Sequence, residues 1–204
     1  MTSEQSSGRD LSEALARARR ACAEAAEQLA DAGIAAEALA EYVAPRRQLL
    51  WKRPATMEPR GEVWRIGPLL LGVPETAGAD PRLYAAGRAT RTAERGRPGY
   101  QSVSREERKE IAAAALRGGF PLGAPVNFDA VPIPLDDAAY ESAGSAAAPA
   151  AATSSANSAA GPVGFADGEL RVRWRDGAPL TGAPTLAAFL ADRVALLIDP
   201  PFAD

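Results

Sequence analysis

The stretch VGFADGELRVRW, residues 163–174, decides the fold class. Val163 and Phe165 stand opposite Leu170, Val172 and Trp174 across Asp167-Gly168, a pair that tolerates the positive φ angles of a two-residue hairpin turn. Along the second strand those apolar residues alternate with Arg171, Arg173 and Arg175, the period of a strand with one buried face and its arginines in solvent. A tight hairpin joins antiparallel neighbours, whereas parallel strands need long crossovers. The pattern points to a mostly antiparallel sheet.

Downstream, Pro184 to Ile198 places Leu186, Phe189, Leu190, Val194 and Leu197 on one helical face, and Pro200-Pro201 stops the helix. Upstream, Ser142 to Pro162 contains only Ala, Ser, Gly, Pro, Thr and Asn. With no bulky side chain to bury, ordering this insert would lose chain entropy that nothing offsets, so it is expected to be disordered.

Further towards the N-terminus, Val126 to Leu135 alternates apolar residues around Pro132 and is expected to be an edge strand, because proline cannot donate to a ladder. Glu62 to Val73, with Val63, Trp64, Ile66 and Leu69-Leu70-Leu71, predicts one strand; its hairpin partner, Arg82 to Thr90, is marked by Leu83 and Tyr84. Pro45 to Arg60, with three prolines, is expected to be a loop.

Three helices are expected in the N-terminal two thirds. Asp10 with Glu13 has capping-box spacing, Leu11, Leu15, Ala18, Cys22, Ala25 and Leu29 form a narrow apolar seam, and Gly33 is placed to end that helix. A short helix is expected from Ala35 to Val43. Ser104 with Glu107 repeats the capping spacing for a helix to Leu116 or Arg117, closed by Gly118-Gly119; its alanine-rich side requires a neighbour at close range.

The sum is an α+β fold: a mostly antiparallel sheet with helices packed on one face. Residues 10–141 and 163–204 are expected to form one domain, preceded by a disordered tail, 1–9, and interrupted by the disordered insert, 142–162. Alanine occupies 47 of the 204 positions and buries little area each, so the few larger apolar residues carry the core and the segment from Val163 onward belongs to it.

Histidine is absent, which removes Ser-His and Cys-His nucleophile pairs, imidazole-bound zinc and histidine phosphotransfer. One cysteine, Cys22, allows no intramolecular disulfide, suits a reducing compartment, and sits in the apolar seam as a small hydrophobe. The apolar run Leu186 to Ile198 is too short for a membrane span and contains Asp192 and Arg193, so a soluble cytoplasmic protein is expected. No G-x-S-x-G, Ser-x-x-Lys pair, P-loop or G-x-G-x-x-G occurs, and Asp136-Asp137 reads as a solvated turn. Neither cofactor nor metal is expected.

Charge is uneven: Pro45 to Arg117 holds 15 basic and 8 acidic residues, net +7, in a chain of net −3. The sharpest candidate site is the loop and helix start in which Arg91, Arg95, Arg97, Tyr100, Ser102 and Ser104 could gather around a small anion, opposed by Glu106 and Glu107 at the same helix end. Nucleic acid is the weaker reading: Trp51, Trp64, Tyr84 and Tyr100 fall in the basic stretch, but Trp64 and Tyr84 belong to expected core strands and no nucleic-acid-binding signature accompanies them.

The segments Gly87-Arg88-Ala89-Thr90-Arg91, Arg97-Pro98-Gly99-Tyr100-Gln101-Ser102-Val103-Ser104 and Arg117-Gly118-Gly119-Phe120 resemble a family of small proteins from GC-rich bacteria. So do Glu62-Val63-Trp64-Arg65 and Arg193-Val194-Ala195-Leu196-Leu197 before Pro200-Pro201. The resemblance leaves out the tail and the insert and implies a single domain; some members carry the label glutaminase. That label would imply amide hydrolysis, for which Ser, Tyr, Lys or carboxylate side chains would have to converge, for instance Ser102, Tyr100, Lys109 and Asp129. The residues themselves favour a non-enzymatic protein that binds a partner protein or a small anionic ligand through its central Arg-rich loops.

Overall fold

The computed structural model describes residues 3–48, 51–76, 78–96, 102–136, 161–175 and 177–201. Most of the insert, 142–160, lies outside the described residues. The described elements are, in chain order, α1 (Ser3–Asp31), β1 (Glu37–Val43), β2 (Arg46–Gln48), β3 (Trp51–Arg53), β4 (Thr56–Ile66), β5 (Leu69–Gly72), β6 (Leu83–Ala85), β7 (Arg88–Arg91), α2 (Val103–Arg117), β8 (Pro125–Phe128), β9 (Val131–Ile133), β10 (Val163–Ala166), β11 (Glu169–Val172) and α3 (Leu186–Ile198). The fold is α+β. Seven strands form a mostly antiparallel sheet in the order β7-β8-β1-β4-β5-β6-β9, and β10-β11 and β2-β3 form separate two-stranded sheets. By compactness the chain divides into two units, Met1–Ile34 with Ile66–Ala85 and Pro132–Asp204, and Ala35–Arg65 with Ala86–Val131.

In the first unit the α1 seam is buried as its spacing requires: Leu15, Ala18, Cys22, Ala25 and Leu29 are all inside, joined by Ala14, Ala21 and Ala26. The helix closes on Gly33, at φ +66°, where Ile34 N–H donates to Leu29 O and Gly33 N–H to Ala30 O, satisfying two terminal carbonyls. It opens at Ser3, so Asp10 and Glu13 lie inside it and form no cap. Between Ser3 and Arg9 only Gly8 opposes helix strongly, by about 1 kcal/mol, too little to stop it.

Against α1 pack α3, β11 and β5. The β10-β11 hairpin forms in the expected register, Phe165 opposite Leu170 and Val163 opposite Val172, over a turn with Asp167 at φ 52° and Gly168 at φ 72°. Arg17 fixes that turn to α1, donating from Nη2 to Gly168 O at 2.7 Å and from Nε towards Glu169. Thr185 caps α3 by accepting from Ala188 N–H, and Leu186, Leu190 and Val194 form its buried stripe. Each buried leucine contributes roughly 2 kcal/mol.

Four expectations fail here. Arg171 and Arg173 are not solvent-facing: Arg171 donates to the carbonyls of Ala166 and Ala183, and Arg173 to those of Ala178 and Gly161, because the loops flanking the hairpin leave carbonyls that need donors. Trp174 lies past the end of β11, 71% exposed with Arg175 stacked on it. Leu197, in the last turn of α3, is also exposed. The stretch Glu62 to Val73 is two strands rather than one, since Gly67, at φ +60°, and Pro68 make a turn between β4 and β5. β5 pairs with β6 as expected, Leu70 opposite Tyr84.

In the second unit β1 pairs antiparallel with β4, with an irregularity between Leu39 and Ala40, and parallel with β8; β7 pairs antiparallel with β8. Within residues 35–43, whose alanines suggest a helix, Glu37–Val43 therefore makes a strand. Pairing on both sides outweighs a propensity difference of at most a few tenths of a kcal/mol per residue. Pro45 to Arg60 is likewise not a loop but the β2-β3 hairpin and the start of β4. Arg88 to Thr90 belongs to β7 rather than to the β6 strand, and Val126 to Phe128 is an inner strand. Pro125 sits at the first position of β8, where a missing donor is tolerated, and the edge character falls to β9, which contains Pro132.

The core of this unit is Ala40, Met57, Val126 and Phe128 from the strands against Ile111, Ala114 and Ala115 of α2, with Ala55 between. The alanine face of α2 permits close approach: at Gly118 a Cβ would collide with the carbonyl oxygen of Met57. On the other face of β8 from Val126 and Phe128 lies Asn127, fully buried. Its Oδ1 accepts from Arg65 Nε at 3.1 Å and Nη2 at 2.5 Å, and its Nδ2 donates to Glu37 Oε2 at 2.8 Å and Ala38 O at 3.2 Å. Every polar atom of the amide is thus satisfied.

Candidate functional site

Of the residues expected to gather around an anion, Arg91, Arg95, Ser102 and Ser104 are described. α2 is capped at Ser102, in extended conformation, rather than at Ser104, and no side-chain cap bond forms; the two hydroxyl oxygens lie 3.5 Å apart in solvent. Starting the helix two residues earlier lets Arg105 and Glu106 N–H donate to Ser102 O. Arg91 donates to Gly123 O at 3.2 Å. Arg95 Nη1 lies 3.2 Å from Glu110 Oε2, and Arg117 holds Glu110 Oε1 at 2.6 Å while donating to Ala55 O. Glu110 Oε2 is shielded from solvent, and Arg95 approaches it off the line of a hydrogen bond, so that contact is electrostatic. Arg97 and Tyr100 lie outside the described residues.

Arg88, Arg95 and Arg117 answer the glutamates of α2. Arg88 pairs with Glu107 at 3.4 Å, approaches Asp129 at 3.9 Å and stands 5.1 Å from the Phe128 ring centre. Burial, then the charge of Glu110 and more weakly Glu107, push the Tyr42 phenol upward, against Arg88 and Arg117. Lys109 pairs with Glu106 at 3.2 Å. No hydrogen bond or ion pair joins Ser102, Lys109 and Asp129 among the described residues.

A groove in the first unit has the better shape for a ligand. It encloses about 500 Å³, within the range of small-molecule sites. Its wall is made by Pro81 to Tyr84, the run into and along β6. Next to it, from the neighbouring strand β9 onward, runs Pro132 to Asp136, with Arg19 of α1 alongside. Arg19 is committed, donating to Leu135 O at 2.5 Å, and so steadies that run. Pro81, Pro132 and Pro134 fix their backbones and bring no N–H, while Leu83, Ile133 and Leu135 supply apolar surface. Among the described residues neither the exposed Arg82 guanidinium nor the half-buried Tyr84 hydroxyl has a hydrogen-bond or ion-pair partner. Asp80 and Asp136 complete the rim.

Sequence reasoning missed this groove because its parts lie at residues 19, 80–84 and 132–136. The signal for it is the repeated proline beside bulky apolar residues, a pattern that equally marks turns and edge strands. The chain matches no protein family, no curated protein and no solved structure. No helix among the described residues is long and apolar enough to cross a membrane.

Cys22 is the reactive group nearest in kind to a nucleophile, and its setting silences it. Burial first, and the charge of Asp80 second, raise the thiol from its ordinary 9.0 to about 12. The folded chain thus holds the proton more tightly than the unfolded one. The resulting stability is complete below about pH 9 and is lost as pH climbs towards 12. Ellman's reagent at pH 8 is expected to leave the native thiol unlabelled and to label it fully in denaturant; rapid native labelling would contradict this burial.

Proposed function

We propose that the protein is a non-enzymatic binding protein that takes a small apolar carboxylate in the groove lined by Pro81 to Tyr84 and Pro132 to Asp136, with Arg82 as its anion contact. The observation that carries the reading is a guanidinium with no partner among the described residues, in the lining of an apolar, proline-walled groove. Binding there needs little ordering, because prolines hold the walls before the ligand arrives. Asp80 at the rim disfavours the carboxylate elsewhere, and the Tyr84 hydroxyl offers a second donor. The charge of the central stretch supports an anionic ligand, and Arg82 belongs to that stretch, whereas Arg91 and Arg95 already hold protein groups.

Thermal shift with benzoate, 3-phenylpropionate and hexanoate, each beside its primary amide, is the test. The acids are expected to raise the melting temperature and the amides not; at a hundredfold excess over Kd the stabilisation is about 2.7 kcal/mol. Arg82→Ala is expected to weaken binding roughly 10- to 100-fold, the worth of a charge-assisted hydrogen bond. No acid-specific shift at millimolar concentration, or an unchanged shift in the variant, would sink the proposal.

A further inference from the structure

Only two of the thirteen residues of α3 are charged, and they are adjacent and opposite in sign: Asp192 and Arg193. With Leu186, Leu190 and Val194 turned inward, Phe189, Asp192, Arg193 and Leu196 fall on one flank, a stripe about 100° wide at helical spacing. Phe189 is half-buried, close to the Gly67 turn, and Leu196 is 40% exposed. Arg193 stands 5.7 Å from the Phe189 ring centre, and its Nε is 3.6 Å from Asp192 Oδ2, with the two side chains 51% and 66% exposed. Neighbours one residue apart on a helix do not face each other, so this ion pair leaves both groups with unused capacity.

Along the flank the order is apolar, acid, base, apolar. That order is its own complement when the direction of the helix is reversed. A two-fold axis passing between residues 192 and 193 would set Phe189 opposite Leu196 and Asp192 opposite Arg193, each pairing occurring twice. We propose that this flank is the contact surface for a second copy of the chain, packed as an antiparallel helix pair. A helix of thirteen residues is about 20 Å long, so the surface is small and the pairing weak and concentration-dependent.

Sedimentation velocity from about 10 μM to 1 mM, the range of weak interfaces, is expected to show the mass rising from one chain towards two. Asp192→Arg and Arg193→Asp, each alone, place like charges opposite each other and are expected to abolish the rise. Mixed one to one, the two variants regain complementary charges, and native mass spectrometry of differently tagged chains is expected to find the heterodimer. Both positions are largely exposed, so circular dichroism and melting should match the parent and separate lost pairing from lost folding. Three results would overturn the proposal: a monomeric parent at the highest concentration, pairing unaffected by either reversal, or a mixture that stays monomeric.

Discussion

Ending the chain at Pro162 is expected to abolish cooperative folding of the unit that contains α1. The truncation removes Leu170, Val172, Leu186, Leu190 and Val194, all buried, and with them the elements that cover the α1 seam. At roughly 2 kcal/mol per side chain the loss is on the order of 10 kcal/mol, as large as the whole stability of an ordinary domain. Arg17 also loses Gly168 and Glu169. Hydrogen exchange is the measurement: α1 amides that are slow in the full chain should exchange at nearly unprotected rates in the shortened one. A truncated chain with a sharp melt and protected α1 would mean the core lies elsewhere.

Replacing Gly118 by alanine is expected to destabilise, against the usual sign. Gly118 has φ −73° and ψ −2°, a conformation any residue adopts, so backbone entropy alone would make alanine stabilising by up to about 1 kcal/mol. Its Cβ, however, would overlap the Met57 carbonyl oxygen and lie 3.0 Å from the carbonyl carbon, and both are backbone atoms that cannot rotate away. Forcing α2 off the strand is overpacking, about 3 kcal/mol, and a fall in melting temperature of roughly 5–10 °C for a chain of this size. Gly119→Ala makes the control: φ is +91° with nothing within 4 Å of the added carbon, so only backbone strain of about 1–2 kcal/mol applies. Urea unfolding ranks the two. Gly118→Ala matching or exceeding the parent would remove the close approach from the account.

What the sequence made legible were features whose causes are local. The α1 seam, the Gly33 closure, the Asp167-Gly168 hairpin and the far end of α2 each depend on residues within a few turns or strand positions, and each is where the spacing put it. β1 was not legible because Glu37–Val43 becomes a strand only through pairing with β4, about twenty residues on, and β8, about ninety residues on. The inward roles of Arg171 and Arg173 were hidden for a similar reason: alternation says which face a side chain takes, not which carbonyls await it there. Of the expected site, Arg91, Arg95, Ser102 and Ser104 are near in sequence, but the glutamates that engage this region sit on a helix whose orientation no spacing rule supplies.

Asn127 has a consequence for how the chain finds its fold. β1 and β8 run parallel and no turn joins them, so nothing in the connection sets their alignment. A slip of one residue would carry the amide to the apolar side occupied by Val126 and Phe128, leaving Arg65 and Glu37 without their shared partner and delivering an aromatic ring to a pair of charges. Hydrophobic residues alone would tolerate a misaligned collapse. A single side chain that both donates and accepts makes the wrong alignment expensive on both faces at once, so it acts as a parity check on the assembly of distant strands.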